Sequence, residues 1–323
     1  MLDKLKNKIL QSSDSYNHYK NENKLLKKEL SELTKRVEET ENQLTYFHEF
    51  LENIYLDHDL KPTNLWNQIQ ILETELLTFI DNVCVKYNID YWLDYGTLLG
   101  ASRHGGFIPW DDDIDIAVMR LDFEKIYPIL MDEIKIHNLD DYIDLRVYHS
   151  NVNDIVLGFI QFSYRLPDDG MILSNVDIFP YDYIDSDEVD FDLYDRERSK
   201  FFIDLVGEDD PSKIVKRYVD KLNVSYDVEK FIIPGPEGPR GRNGYGCCVY
   251  NKNIIFPLNK IRFRDKYFNC PNNVDEYLRG IYGDYSHIPN KIAHHNLLKS
   301  LKNIDNISNE LSIAINKLKQ INE

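Results

Sequence analysis

Along the first sixty residues, apolar side chains return at alternating spacings of three and four. With Leu2 at heptad position a, the a and d positions run Leu2, Leu5, Ile9, Ser12, Tyr16, Tyr19, Asn23, Leu26, Leu30, Leu33, Val37, Thr40, Leu44, Phe47, Leu51 and Ile54, and thirteen of these sixteen are apolar or aromatic. No glycine or proline interrupts residues 1–61. A seven-residue period held this long predicts a left-handed coiled coil over residues 1–60, because on a straight helix the stripe would rotate away from its partner. Glu22 with Lys27, and Arg36 with Glu41, fall at g and following e positions, where opposite charges favour parallel pairing, and Asn23 at an a position favours two strands. The pattern thus predicts a homo-oligomer formed through residues 1–60; the alternative is one amphipathic helix packed on its own domain.

Lys61-Pro62-Thr63-Asn64 reads as a break followed by an N-cap. From Leu65 to Tyr87 the apolar residues Leu65, Ile69, Leu72, Leu76, Phe79, Ile80 and Val83 keep helical spacing, which predicts a helix packed on a globular domain over residues 61–295. Tyr91-Trp92-Leu93 reads as a short strand, Gly96-Thr97 as a tight turn, and Leu98 to Ser102 as a helical turn. Residues 185–198 hold Asp185, Asp187, Glu188, Asp190, Asp192 and Asp195, a solvated loop leading into a helix. Residues 234–246 carry five of the fourteen glycines and read as a mobile loop, with Arg240 and Arg242 suggesting a lid over phosphates as the lesser alternative. Leu297, Leu301, Ile304, Leu311, Ile315 and Leu318 predict an amphipathic helix within residues 296–323 that either packs on the domain or adds to the oligomer.

Composition narrows the function. Thirty-eight basic against 55 acidic residues give a net charge of −17 and a pI near 5.0. Broad electrostatic binding to nucleic acid needs the opposite sign, and no basic stripe reverses it locally. Mean hydropathy is −0.48, and no apolar run approaches the roughly 20 residues of a membrane span. The start MLDKLKNKILQSSD lacks the apolar core of a signal peptide, so a cytoplasmic location is expected. Cys84, Cys247, Cys248 and Cys270 show neither a disulfide framework nor paired zinc spacing.

The chemistry concentrates in residues 90–118, DYWLDYGTLLGASRHGGFIPWDDDIDIAV. A strand running into Gly96-Thr97 at a helix start offers backbone N–H groups and a positive dipole end to a phosphate. Asp113-Ile114-Asp115-Ile116-Ala117-Val118 alternates polar and apolar, so an extended chain sends Asp113 and Asp115 to one face. Two carboxylates on one face repel unless a cation lies between them, and an all-oxygen ligand set suits Mg2+ or Mn2+. Asp111 and Asp112 deepen the negative potential. The bland alternative, an exposed acidic turn before an ordinary strand, fits poorly with Pro109-Trp110 and the apolar alternation. Trp110 itself reads as a packed loop anchor rather than a base-stacking platform.

GTLLGASRHGGFIPWDDDIDIAV resembles the signature of the LicD family of phosphocholine transferases, to which fukutin and fukutin-related protein are related. Val176-Asp177-Ile178-Phe179-Pro180 resembles the family's second carboxylate strand, and Tyr282-Gly283-Asp284-Tyr285 with Pro289 its closing motif. The resemblance covers roughly residues 64–290. One position departs from it: where the family reads Phe-Glu-Gly after a proline-containing strand, this chain has Phe263-Arg264-Asp265, with Asp265 placed to substitute from one residue along.

The resemblance implies an α+β fold, a nucleotidyltransferase-like mixed sheet with flanking helices, preceded here by the long N-terminal coiled-coil helix. It implies Asp113, Asp115 and Asp177 as metal ligands and catalytic residues, and Gly96 and Thr97 at the donor phosphate. Arg103 and His104 follow that turn and read as a charge clamp on the pyrophosphate, or else as a pair that fixes loop 104–110. The implied reaction moves a phospho-alcohol such as phosphocholine or phosphoribitol from a CDP-activated donor to a glycan hydroxyl, largely by alignment and charge neutralisation. Two alternatives stand beside it: a nucleotidyltransferase acting on a small molecule, and a coiled-coil scaffold whose catalytic domain is inactive.

Overall fold

The structure is a computed structural model of the chain and describes residues 2–57, 64–109, 111–152, 155–167, 170–185, 190–205, 211–238, 248–286 and 306–323. It divides into two compact units. The first holds one helix, α1 (Leu2–Asp57), spanning the residues whose heptad pattern predicts it. From His18 to Phe47 its side chains are exposed, the apolar stripe included.

The second unit opens with α2 (Asn64–Tyr87), whose inward face buries Ile69, Leu72, Leu76, Leu77 and Ile80 completely. Then come β1 (Tyr91–Leu93), α3 (Tyr95–His104), β2 (Ile114–Met119), α4 (Arg120–Ile136), β3 (Ile143–Val152), β4 (Ile155–Arg165) and β5 (Ile172–Ile184). These strands lie in the order β1-β2-β5-β4-β3, with β2 and β5 parallel and the other neighbours antiparallel. The mixed sheet with flanking helices is the architecture the resemblance implies. Ile114, Ile116, Ala117 and Val118 of β2 are wholly buried, as a central strand with a parallel neighbour requires. Phe79 of α2 stacks on Phe162 of β4 with centroids 5.6 Å apart, so α2 covers the sheet face opposite Gln161 and Asp177.

Beyond β5 the chain forms α5 (Phe191–Leu205), α6 (Pro211–Leu222), β6 (Val224–Ser225), β7 (Phe231–Pro234), β8 (Tyr250–Asn251), α7 (Lys252–Ile255), the hairpin β9 (Asn259–Phe263) and β10 (Lys266–Cys270), α8 (Val274–Tyr282) and α9 (Ile307–Asn322). The long β5 reaches past the main sheet to pair with β6 and β7. A second apolar cluster gathers there around Tyr194, Phe201, Ile214, Tyr218 and Ile233. Of the two fates open to the C-terminal helix, the structure shows packing on the domain. Helix α9 buries Leu311, Ala314 and Leu318, and the Asn322 amide donates to the Glu75 carbonyl of α2 at 2.9 Å. Leu297, Leu301 and Ile304 lie outside the described residues.

One expectation needs correcting. The start of the glycine-rich stretch is pinned rather than loose. Gly235 N–H donates to the Pro180 carbonyl at 2.7 Å, and Arg198 donates to the Gly238 carbonyl at 2.7 Å. Buried Arg120, at the head of α4, grips both Asp182 (2.6 and 2.8 Å) and Glu237 (2.6 and 3.0 Å). A buried charge this well paired is expensive to disturb, which explains why the segment does not float. Residues 239–247, with Arg240 and Arg242, lie outside the described residues, as do Trp110 and Pro289. The thiols of Cys84, Cys248 and Cys270 are buried and free, and among the described residues no helix is long and apolar enough to cross a membrane.

Helix α3 closes on Gly105 in the left-handed conformation (φ 62°), whose N–H caps the Ala101 carbonyl at 3.1 Å. The loop then folds straight back over the helix at Gly100. A Cβ at Gly100 would stand 2.5 Å from the Gly106 carbonyl oxygen and 2.8 Å from Ile108 N, both backbone atoms that cannot swing aside. Gly100→Ala is therefore expected to destabilise the protein by about 1–3 kcal/mol. Urea unfolding measures this, and an unchanged midpoint would contradict the packing described.

Candidate active site

The site grows from the parallel register of β2 and β5. Asp115 sits directly opposite Asp177, and Asp113, two residues before Asp115 at the mouth of β2, shares its face. Carboxylate oxygens of Asp113, Asp115 and Asp177 all come within 4.8 Å of one another. Asp113 and Asp115 keep part of their surface open, while Asp177 is buried. The three carboxylates expected from the sequence are thus brought together.

Neighbouring residues fix their orientation. Asp177 Oδ1 accepts from the Gln161 amide at 3.0 Å and the Asn175 amide at 3.2 Å. Both donors are placed by strand geometry: Gln161 is the cross-strand partner of Asp177, and Asn175 is two residues back on the same face. The Thr97 hydroxyl accepts the Asp115 N–H at 2.8 Å, and Asp94 N–H donates to the Asp115 carbonyl at 3.0 Å. Asp115 is therefore clamped at both backbone groups by the β1–α3 turn.

That turn is itself built on a buried network. Asp94 caps α3 by accepting from Tyr95 N at 2.8 Å, and it accepts hydroxyl protons from Tyr277 and Tyr181, each at 2.8 Å. Trp92 Nε1 donates to the Tyr277 hydroxyl at 2.9 Å. Burial pushes the Asp94 carboxyl up to about 6, and the three donors hold it from going higher. Tyr95 follows at φ +36°, an unusual value for a residue with a side chain and a form of strain that collects at functional sites.

The electrostatics at the acid cluster all point one way. Burial, then Asp113, raises Asp177 to about 7. Asp115 is raised well above the carboxylate range by burial, then by Asp113, Asp177, Asp111 and Asp94. A sixth acid, absent from the sequence-based set, stands behind them. Glu73 of α2 is wholly buried, neither of its oxygens has a hydrogen-bond partner, and burial followed by Asp113, Asp112 and Asp111 raises its pKa well above normal, with Arg264 opposing. The signal was present in the sequence, since Ile69, Glu73, Leu76 and Ile80 share one helical face and an acid among them must be buried. Carboxyl groups gathered this closely raise one another's proton affinity. An all-oxygen set at this spacing fits a hard divalent cation, and the orphaned Glu73 is consistent with a positive charge belonging nearby.

The residues expected to hold donor phosphate are not gathered at one point. Gly96 lies in the first turn of α3, where a Cβ would stand 2.6 Å from Asp111 Oδ2, so a side chain there would displace that carboxylate. Thr97 is buried, and its hydroxyl oxygen accepts the Asp115 N–H, so it positions the strand. Arg103 and His104 sit at the far end of α3, roughly 10 Å along the axis from Gly96. There the Arg103 guanidinium lies over the Tyr285 ring at 5.8 Å, joining α3 to the Tyr282–Tyr285 motif, whose Tyr285 hydroxyl donates to Asp275 at 2.8 Å. Arg264, the residue that departs from the family pattern, occupies the β9–β10 turn at φ +58°. Its N–H donates to the Gly105 carbonyl at 2.6 Å, and its guanidinium to Gln70 (3.3 Å) and Asn67 (3.0 Å) of α2. It fastens α2 to the loop over the site, while Asp265 is exposed at the same turn and does not join the carboxylate trio.

Residues 88–206 match the LicD/FKTN/FKRP nucleotidyltransferase domain family, a span that contains β1, α3, β2 and all three aspartates. The chain is 40% identical over 68 residues to the lipopolysaccharide cholinephosphotransferase LicD of Haemophilus influenzae, covering 21% of this chain and 26% of that protein. It is 43% identical over 44 residues to human ribitol 5-phosphate transferase FKRP, covering 14% of this chain and 9% of that protein. An uncharacterized protein of Rickettsia prowazekii is 26% identical over 202 residues, 58% of this chain and 70% of its own length. The chain therefore spans about a quarter of LicD and less than a tenth of FKRP. Residues 88–206 are thus similar to the LicD/FKTN/FKRP nucleotidyltransferase domain, and shorter stretches of the chain to the LicD cholinephosphotransferase and to FKRP.

Proposed function

We propose that this chain is a metal-dependent phosphotransferase that moves a phospho-alcohol, of the phosphocholine or ribitol phosphate class, from a CDP-activated donor to a glycan hydroxyl. The observation that carries the reading is the convergence of Asp113, Asp115 and Asp177 inside a domain whose named relatives transfer cholinephosphate and ribitol 5-phosphate. In this reaction the new bond joins the acceptor oxygen to the phosphorus next to the alcohol, and the pyrophosphate bond breaks to release CMP. Asp113, Asp115 and Asp177 would hold Mg2+ or Mn2+. Such an ion neutralises charge on the phosphoryl oxygens.

The chain's own residues supply alignment. Gln161 and Asn175 both donate to Asp177 Oδ1 and so fix the orientation of its carboxylate. Thr97 and Asp94 fix the Asp115 backbone, so its carboxylate is aimed before any ligand arrives. The first turn of α3, partly exposed at Gly96, offers backbone N–H groups to an anionic donor. Arg103 and His104 serve the outer part of the same donor.

Incubation with CDP-choline, CDP-ribitol, Mg2+ and mixed glycans, followed by mass spectrometry, tests the reaction. The expected product is an acceptor heavier by one phospho-alcohol, with CMP released, and Asp115→Asn lowers turnover by at least about 100-fold. Appearance of the nucleotide on the acceptor would instead establish a nucleotidyltransferase, and no transfer from any donor would leave the scaffold reading.

The pH behaviour of the metal-free protein supplies a separate test. Because burial and Asp113 raise Asp177 in the folded state, its contribution favours the fold below the ordinary carboxylate range near 4 and is lost as pH rises through about 7. Without metal, Asp177→Asn is expected to be more stable than the parent at pH 8, by on the order of 1–4 kcal/mol. Millimolar Mg2+ should raise the melting temperature of the parent more at pH 8 than at pH 5.5, since its ligands must be deprotonated, and should leave the variant unmoved. Equal responses from parent and variant would contradict the ligand assignment.

A further inference from the structure

Helix α1 has no role in the chemistry described, and its length and surface call for their own account. Its 56 residues extend roughly 84 Å. Tyr19, Leu26, Leu30, Leu33, Val37, Leu44 and Phe47 form a single a/d stripe, and each of these side chains is more than half exposed. An apolar period of 3.5 residues drifts by about 20° per heptad on a straight 3.6-residue helix, so over eight heptads no flat surface can follow it. Another helix wound around the first can.

The charges say which helix. Ion pairs within α1, Lys28 to Glu32 and Lys35 to Glu39 (each 3.7 Å), lie at f and c positions, on the side away from the stripe. At the g and following e positions beside the stripe, Glu22 meets Lys27 and Arg36 meets Glu41 when two copies run parallel and in register, while Glu29 meets the neutral Thr34. No like-charged pair arises between positions 18 and 47. The same alignment sets Asn23 against Asn23, the one arrangement in which two a-position amides bond each other across the seam. We propose that residues 2–57 form a parallel, in-register, two-stranded coiled coil with a second copy of this chain, so that the working protein carries two catalytic units.

Light scattering on the full-length protein, joined to a cross-linking variant, tests this. The expected mass is twice that of the 38.2 kDa chain. The double variant Leu30→Asp/Val37→Asp should halve it while leaving the melting of the catalytic unit, and its activity, unchanged. Under mild oxidation Leu44→Cys should form a disulfide-linked dimer in high yield, because residue 44 meets its own copy in the parallel in-register form, whereas an antiparallel pair centred on the helix sets the two roughly 43 Å apart; the parent chain gives the background from its own cysteines. A monomeric parent, a trimer or tetramer, a dimer that survives Leu30→Asp/Val37→Asp, or a Leu44→Cys dimer no more cross-linked than the parent would each overturn the proposal.

Discussion

Three carboxylates held within 4.8 Å of one another, on strands whose register leaves them nowhere else to go, form the constraint around which this fold is arranged. Mutual repulsion and burial both work against them, as the raised proton affinities of Asp115 and Asp177 record. The sheet tolerates the cost because β2 is fixed on both sides. On one flank β5 runs parallel to it; on the other, β1 and the head of α3 clamp the backbone of Asp115. A strand so held cannot relax by slipping, since a one-residue shift would turn every side chain to the opposite face.

The supports are layered outward from that point. Asp94, buried among Tyr181, Tyr277 and Trp92, joins the cap of α3 to α8. Trp66 Nε1 donates to the Pro109 carbonyl at 3.0 Å and holds the loop that leads into the acidic run. Arg264 ties that loop's origin at Gly105 to α2, and Arg120 locks the distant ends of β2 and β5 to residue 237. Each contact spans elements far apart in sequence, so the site forms only when the whole unit has folded.

How much of this the sequence disclosed follows from the range of the interactions involved. Alternation at Asp113-Ile114-Asp115 and the heptad run in α1 are local signals, and both elements appear where those signals lie. The pairing of Asp115 with Asp177, 62 residues later, came from resemblance to a family and not from any spacing. The phosphate reading of Gly96 and Thr97 rests on a glycine-hydroxyl turn at a helix start; that the Thr97 hydroxyl also bonds β2 is visible only when the strand is seen alongside. Glu73 was passed over as one of the polar residues between apolar ones, although its place on the buried stripe of α2 was readable. The start of the glycine-rich stretch was misread because the Arg120 that pins Glu237 comes from 117 residues away.

The central claim is that the aspartate trio is a cation site. Its most direct test is a crystal structure of the protein soaked in Mn2+ and measured at the manganese absorption edge. An anomalous peak about 2.1 Å from carboxylate oxygens of Asp113, Asp115 and Asp177 is the predicted result. A map in which manganese binds elsewhere, or in which the three carboxylates hold only water at millimolar metal and pH 8, would contradict it.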